Sequence, residues 1–182
     1  MNEIIKELCN TNELVETYTN PNDCDKFGVG YITACTDNEF LIHTFQENDL
    51  DDGYYVKRND SMIRIQRNTI YLNNKLQLVK PKAEMDNLPK GYWPDLDLFD
   101  VVLNLCQKKH LVTQVGVEYD FVSVGFVKNI SDDVVELENI NCDGKPDGIT
   151  YLRWENINYV GFGGVDEERR ALLYKKWART QE

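Results

Sequence analysis

The chain has 182 residues, which is enough for one domain of ordinary size or for two small ones. Hydrophobic residues make up 42% and aromatic residues 11%, so the chain can build a packed core, which excludes an intrinsically disordered protein. The formal net charge of −11 opposes binding to nucleic-acid phosphates and to anionic lipid.

Membrane insertion and export are also not indicated by the sequence. No stretch approaches the roughly 18 consecutive apolar residues that span a bilayer, and the N-terminus lacks the basic start of an export signal. The five cysteines lack Cys-x-x-Cys spacing, which argues against a disulfide framework or a zinc site. We therefore expect a cytoplasmic protein with reduced thiols, no metal and no other cofactor.

The first half of the chain predicts a helix, five short strands and a second helix. Apolar and polar residues alternate in the strand segments, and clusters of turn-forming residues separate them. The predicted elements are a helix over 3–9, strands over 13–18, 27–35, 39–45, 54–58 and 62–66, and a helix over 70–79.

Residues 81–96 predict a linker, because three prolines interrupt any regular element there. Tyr92 and Trp93 lie within this segment as candidate interaction residues. Large aromatic side chains of this kind either anchor a partner or pack between the two halves of the chain.

The second half predicts the same order of elements. Leu98, Val102 and Leu105 recur at three- and four-residue steps, which is typical of an amphipathic helix. Cys106 lies near the apolar face of this helix, as Cys9 does in the first helix, so both are predicted to be packed thiols. The predicted elements are a helix over 97–109, strands over 111–119, 121–130, 134–140, 149–154 and 157–162, and a C-terminal helix over 166–178.

The two halves match each other as an internal repeat. A shift of 95 residues places Gly30 on Gly125 and Arg58 on Arg153, and a shift of 97 aligns the segments upstream, matching Leu14 to Leu111. The sequence therefore predicts a mainly β, α+β fold of two tandem small barrels. Their bounds are 1–80 for the first unit and 97–182 for the second unit with its C-terminal helix.

This order of elements, with a glycine in the second strand and a tight turn before the last, resembles the Sm-like fold. In that family an aspartate follows the strand-two glycine by some six residues, and here Asp37 and Asp132 are similar. The second family motif, apolar-Arg-Gly-Asp-Asn, is similar to residues 152–156 and, more distantly, to residues 56–60. Other small barrels, including the PRC-type barrel, use comparable patterns.

The resemblance implies that, in each half, the turn between the second and third predicted strands and the Arg-containing turn would be the RNA-binding positions. Arg58 and Arg153 are the candidate arginines, and Trp154 stands where the family has glycine. Trp154 is therefore also a candidate interaction residue, which either anchors a partner or packs inside the protein.

No arrangement of residues predicts catalysis or metal binding. The only two histidines, His43 and His110, have no cysteine, histidine or acid near them at ligand spacing. The carboxylates over residues 47–52 do not follow EF-hand spacing, and we expect them to form a solvated hairpin loop. The chain is therefore not expected to be an enzyme.

Three functions remain open at this point. The first is a non-catalytic interaction or scaffold module that pairs through its strand edges with another protein or with itself. The second is RNA binding of the Sm-like kind, which the charge disfavours. The third is an acidic inhibitor or decoy that binds a basic partner.

Overall fold

A computed structural model describes residues 1–23, 25–82, 85–118 and 121–181. Cys24 and Tyr119, the second of which is the predicted end of a strand, lie outside the described residues. The chain divides into two compact units, Met1–Leu98 and Phe99–Glu182. The first unit therefore includes the residues for which the sequence predicts a linker.

In the first unit, five strands form an antiparallel sheet in the order β5-β1-β2-β3-β4. A short strand from the predicted linker, β6, pairs in parallel with β2. A single 3-10 turn, Asn59–Ser61, joins β4 to β5. The bounds are α1 Asn2–Thr11, β1 Leu14–Tyr18, β2 Gly28–Cys35, β3 Glu39–Phe45, β4 Asp51–Arg58, β5 Arg64–Arg67, α2 Ile70–Leu76 and β6 Gly91–Tyr92.

In the second unit, the strands pair in the order β11-β7-β8-β9-β10, also antiparallel. The 3-10 turn Trp154–Asn156 joins β10 to β11. The bounds are α3 Leu98–Lys109, β7 Val112–Glu118, β8 Phe121–Ile130, β9 Val134–Ile140, β10 Pro146–Arg153, β11 Tyr159–Phe162 and α4 Val165–Ala178.

The pairing of the second and third strands is the same in both units. Gly30 lies opposite Thr44 in β2–β3, and Gly125 lies opposite Asn139 in β8–β9. The register also shifts at the same place, between Ile32 and Ala34 in one pair and between Val127 and Asn129 in the other. Every paired position in β8–β9 is thus 95 residues beyond a paired position in β2–β3.

The first strand of each unit follows a different shift from the one that the sequence predicts. Leu14 pairs with Tyr31, and Val112, not Leu111, pairs with the equivalent Phe126. The helices that precede these strands end in left-handed residues, Asn12 and His110, which are likewise 98 positions apart. The predicted shift of 97 and the observed shift of 98 differ by one residue. In a strand, a difference of one residue places each side chain on the opposite face of the sheet.

The apolar residues form clusters on which the helices pack. In the first unit, Ile5, Leu8 and Cys9 of α1 pack with strand residues, and Leu72 of α2 packs in a separate cluster. In the second unit, α4 packs its Ala171 and Tyr174 against strand residues. Cys9 and Cys106 are both buried, which confirms the prediction that they are packed thiols.

The mainly β, α+β class with a C-terminal helix is confirmed. The pairing does not show the two predicted barrels: within the first unit, β5 and β4 stand at opposite ends of the strand order, and so do β11 and β10 in the second. The last strands are only four residues long, so each pairs with the first strand of its unit over a short stretch. Among the described residues, no helix is long and apolar enough to cross a membrane.

Candidate functional sites

The turns that carry the predicted arginines lie against the turns between the second and third strands. The backbone N–H of Asn59, which follows Arg58, donates to the carbonyl oxygen of Asn38 at 2.8 Å. The backbone N–H of Trp154, which follows Arg153, donates to the carbonyl oxygen of Asp133 at 2.9 Å. In each unit the structure therefore brings together the two turns that the sequence singles out.

Acidic side chains surround the candidate arginine of the second unit, Arg153. The Arg153 side chain is 68% exposed and lies 3.6 Å from the carboxylate of Glu155. Asp132 and Asp133 occupy the adjoining turn and are exposed. A phosphate approaching Arg153 would therefore meet three nearby carboxylates, which repel it.

Tyr92 holds the predicted linker against α1 and the turn between β2 and β3. Its hydroxyl donates to the Asp37 carboxylate at 2.7 Å, and the Lys6 ammonium lies 2.9 Å from the same oxygen. Lys6 also lies over the Tyr92 ring, 4.3 Å from its centroid. The Lys6 ammonium and the Tyr92 hydroxyl lower the pKa of Asp37. Tyr92 thus already has intramolecular partners, although its ring remains partly exposed.

The two candidate tryptophans lie at different depths. Trp93 is 48% exposed, and its indole N–H donates to the carbonyl oxygen of Lys90 at 2.7 Å. Trp154 is half-buried at the start of the second 3-10 turn. Trp93 is therefore the more accessible of the two candidate anchors.

A buried histidine–aspartate pair, which the spacing of residues in the sequence does not predict, lies in the first unit. His43 Nε2 lies 2.7 Å from Asp51 Oδ2, and both side chains are less than 8% exposed. The expectation that His43 has no acid nearby was wrong. The expectation failed because the hairpin turn spans Gln46–Leu50, so that β4 starts at Asp51 and not at the predicted Tyr54. Asp51 is therefore a strand residue close to His43. Asn48-Asp49, two good turn-forming residues, is the sequence signal that could have placed this turn.

Several hydrogen bonds fix the Asp51 carboxylate. The backbone N–H groups of Lys82 and Gly53 donate to it at 2.7 and 3.0 Å, in addition to the bond with His43. Burial alone would raise the pKa of Asp51, but these two backbone donors and the imidazole outweigh burial, and the pKa is lowered. The carboxylate is therefore charged, and it orients the imidazole.

The His43 ring lines a cavity of about 190 Å³ in the first unit. On one face the ring stacks on Tyr54, with centroids 4.4 Å apart. The cavity combines polar, basic and apolar side chains from three strands and from the segment after α2. Its lining residues are Asn12, Tyr31, Thr33, His43, Tyr54, Pro81, Lys82, Met85, Leu88, Pro89 and Lys90.

Two further carboxylates of the β3–β4 hairpin, those of Asp49 and Asp52, also have partners. The buried ammonium of Lys75 lies 2.9 Å from Asp49, and the Gln46 amide donates to Asp52 at 2.8 Å. The expectation of a solvated loop was therefore wrong for Asp51, which is buried. Asp49 is partly exposed, but it also forms an ion pair with Lys75. No group of three or more potential metal-binding side chains occurs among the residues that the structure describes.

Two kinds of candidate site thus follow from the structure. The paired turns occur in both units, whereas the histidine–aspartate pair occurs in the first alone, because Glu138 and Pro146 occupy the equivalent register positions in the second. No family model, no curated protein and no solved structure matches this chain.

Proposed function

We propose that the protein is a non-catalytic interaction module of two Sm-like units, and that the outer edge of β10 binds an extended segment of another protein. The observation that supports this proposal best is the exposed second half of β10. Ile149 is 55% exposed and Tyr151 is 66% exposed, although both belong to a regular strand. Over the described residues, β10 pairs with β9 and with no strand on its other side.

Soluble proteins usually protect such an edge with proline, charge or a bulge. Here Pro146 and the register shift that follows it protect the start of β10 only. The stretch Ile149–Arg153 pairs regularly with β9 and carries one charged residue, at its end. In the first unit, the outermost strand β5 has just four residues, with arginine at both ends. The β10 edge is therefore the more suitable one for adding a strand.

The chemistry of the partner follows from the side chains next to this edge. Ile149 lies opposite Glu138 and Tyr151 lies opposite Glu136 on β9. A strand added to β10 would thus meet apolar side chains backed by carboxylates, on a chain of net charge −11. We infer a partner segment in which apolar residues alternate with lysine or arginine. This also accommodates the decoy hypothesis, in which the acidic chain captures a basic partner.

A fluorescently labelled ten-residue peptide of alternating valine and lysine provides a direct test. Tyr151→Glu should weaken its binding at least fivefold, because it places a charge where an apolar contact is needed. Attraction by net charge alone would give the opposite result, since the variant is more acidic. The measurement is fluorescence anisotropy at physiological salt.

The matched control is Leu172→Glu, which adds the same charge at a 62% exposed position on α4. It should leave binding unchanged. Equal effects of the two variants would contradict edge recognition. The remaining outcome is that a second copy of the chain occupies the edge. Light scattering would then give a dimer mass for the unmodified chain and a lower mass for Tyr151→Glu.

RNA binding is the alternative that the resemblance implies, and we expect it to be absent. The carboxylates around Arg153 and the Lys6–Asp37 contact near the other turn leave little positive field for phosphate. Anisotropy with short U-rich and A-rich RNA at low salt should show no binding at high micromolar protein. Binding that Arg58→Ala and Arg153→Ala both weaken would favour the RNA alternative over our proposal.

A further inference from the structure

We propose that Cys9 and Cys35 form a redox-active pair, which a hydroperoxide oxidises to a disulfide and a dithiol reductant reduces again. Both cysteines are free thiols, and their sulfur atoms lie 3.1 Å apart. Cys9 belongs to α1 and Cys35 ends β2, so the whole site lies in the first unit. The pair is separate from the β10 edge and does not depend on the function proposed above.

The hydrogen bonds of the two thiols hold the sulfur atoms in contact. The Cys9 thiol donates to the carbonyl oxygen of Lys6 at 3.2 Å, so its single proton is engaged there. The sulfur–sulfur contact is therefore made by the Cys35 thiol, which donates to the Cys9 sulfur. A disulfide bond is about 2 Å long, so the two sulfur atoms need to approach each other by only ~1 Å.

The fold does not require this pair of cysteines. In the second unit, Cys106 of α3 is also buried, but its side-chain hydrogen bond is to Thr113 and not to a second sulfur. The residue that lies 95 positions beyond Cys35 is Ile130, which pairs with β9 as Cys35 pairs with β3. A cysteine is therefore not needed for the strand pairing at this position.

The different exposure of the two thiols assigns their roles in the oxidation. Cys9 is 8% exposed, whereas Cys35 is fully buried, so a small hydroperoxide reaches Cys9 first. The Cys9 thiol loses its proton, and the thiolate attacks one peroxide oxygen. The O–O bond breaks, and the departing oxygen leaves with a proton as water when the oxidant is hydrogen peroxide. The product is a sulfenic acid on Cys9.

Cys35 then closes the disulfide. Burial, and next to it the hydrogen bond with Cys9, raise the pKa of Cys35, so this thiol keeps its proton until it reacts. Its sulfur attacks the Cys9 sulfur, the S–OH bond breaks, and the Cys35 proton combines with the departing hydroxide as water. Two thiols and one hydrogen peroxide thus give one disulfide and two water molecules. A dithiol reductant reverses the change by thiol–disulfide exchange and is itself oxidised to a disulfide.

The disulfide would fasten α1 to β2 at the place where the segment after α2 packs on both. The backbone N–H of Trp93 donates to the carbonyl oxygen of Cys35 at 2.9 Å, and the Tyr92 ring lies under the Lys6 ammonium of α1. A covalent bond between α1 and β2 also restricts the unfolded chain. We therefore expect α1 to open less often in the oxidised protein than in the reduced one.

The test treats the reduced full chain with hydrogen peroxide and identifies cross-linked peptides by mass spectrometry. A pair of peptides joined through Cys9 and Cys35 should form, lighter by two hydrogen atoms than the reduced peptides, and dithiothreitol should separate them. Hydrogen exchange of the α1 amides should slow at least about tenfold in the oxidised chain. Exchange of the α3 amides, in the second unit, should not change.

Cys35→Val should abolish both the cross-link and the slower exchange of α1, whereas the matched control Cys106→Val should retain both. The unmodified chain gives the deciding result, so the test does not depend on the folding of a variant. The exposed Cys142 shows that the oxidant has acted. The proposal is overturned if Cys142 is oxidised while Cys9 and Cys35 remain thiols. It is equally overturned if the cross-linked peptides join other cysteines, or if dithiothreitol does not reverse the bond in the folded chain.

Discussion

Replacing Gly30 or Gly125 with alanine is expected to destabilise the unit that contains it by about 3 kcal/mol or more. A Cβ atom at Gly30 would lie 2.2 Å from the backbone oxygen of His43, and one at Gly125 would lie 2.1 Å from that of Glu138. Because both obstacles are backbone atoms of the paired strand, the two strands would have to separate. Urea unfolding followed by circular dichroism measures the loss.

Gly28→Ala is the matched control, since Gly28 lies on the same strand as Gly30. A Cβ atom there would meet only the Thr17 hydroxyl oxygen, at 3.3 Å. Its free energy of unfolding should stay within about 1 kcal/mol of that of the unmodified chain. Similar losses for Gly28→Ala and Gly30→Ala would mean that close strand approach does not explain the glycine. If Gly125→Ala leaves the free energy of unfolding unchanged while Gly30→Ala lowers it strongly, the two units are not equivalent at this position.

Replacing Asp51 with alanine is expected to reduce the free energy of unfolding of the first unit by about 3 kcal/mol. The change removes the acceptor for His43 and for the backbone N–H groups of Lys82 and Gly53. Asp52→Ala is the control, because Asp52 is only half-buried and bonds a side-chain amide. It should cost less than about 1 kcal/mol in the same urea experiment.

The contribution of Asp51 should also depend on pH. Its pKa in the folded protein is lowered from the ordinary value of 3.8, so folding favours the charged carboxylate. The stabilisation is therefore complete above the unfolded-state pKa and is lost as the pH falls through the lower folded-state pKa. The difference in stability between the unmodified chain and Asp51→Asn should be constant above about pH 5 and should shrink in acid. A difference that grows in acid would contradict the charged state.

The two glycines mark a close approach of two strands that both units share. In each unit the second strand passes so close to the third that only a residue without a side chain fits. The backbone contacts between the paired turns, Asn59 to Asn38 and Trp154 to Asp133, repeat with the same spacing. Selection on a shared backbone path would retain these contacts while allowing side chains such as His43 and Glu138 to differ.

The local elements could be predicted from the sequence because their signals are local. Alternating apolar residues, turn-forming clusters and the three- and four-residue steps of α3 indicate strands, turns and helices over a few positions each. The repeated glycines, Gly30 and Gly125, indicated that the two strands that contain them occupy equivalent positions. The sequence by itself therefore determined the element order of both halves, the buried thiols of Cys9 and Cys106, and the α+β class.

Contacts between distant residues were decided by the tertiary structure alone. The start of β4 at Asp51 depends on the register of a hairpin, and one misplaced turn hid the His43–Asp51 pair. The cavity lining depends on where residues 81–82 and 85–90 lie against the sheet, and no periodicity encodes that placement. Tyr92 was predicted either to anchor a partner or to pack between the two halves, whereas its hydroxyl donates to Asp37, 55 positions away along the chain. Such contacts depend on how packed elements meet in space, which local residue patterns do not specify.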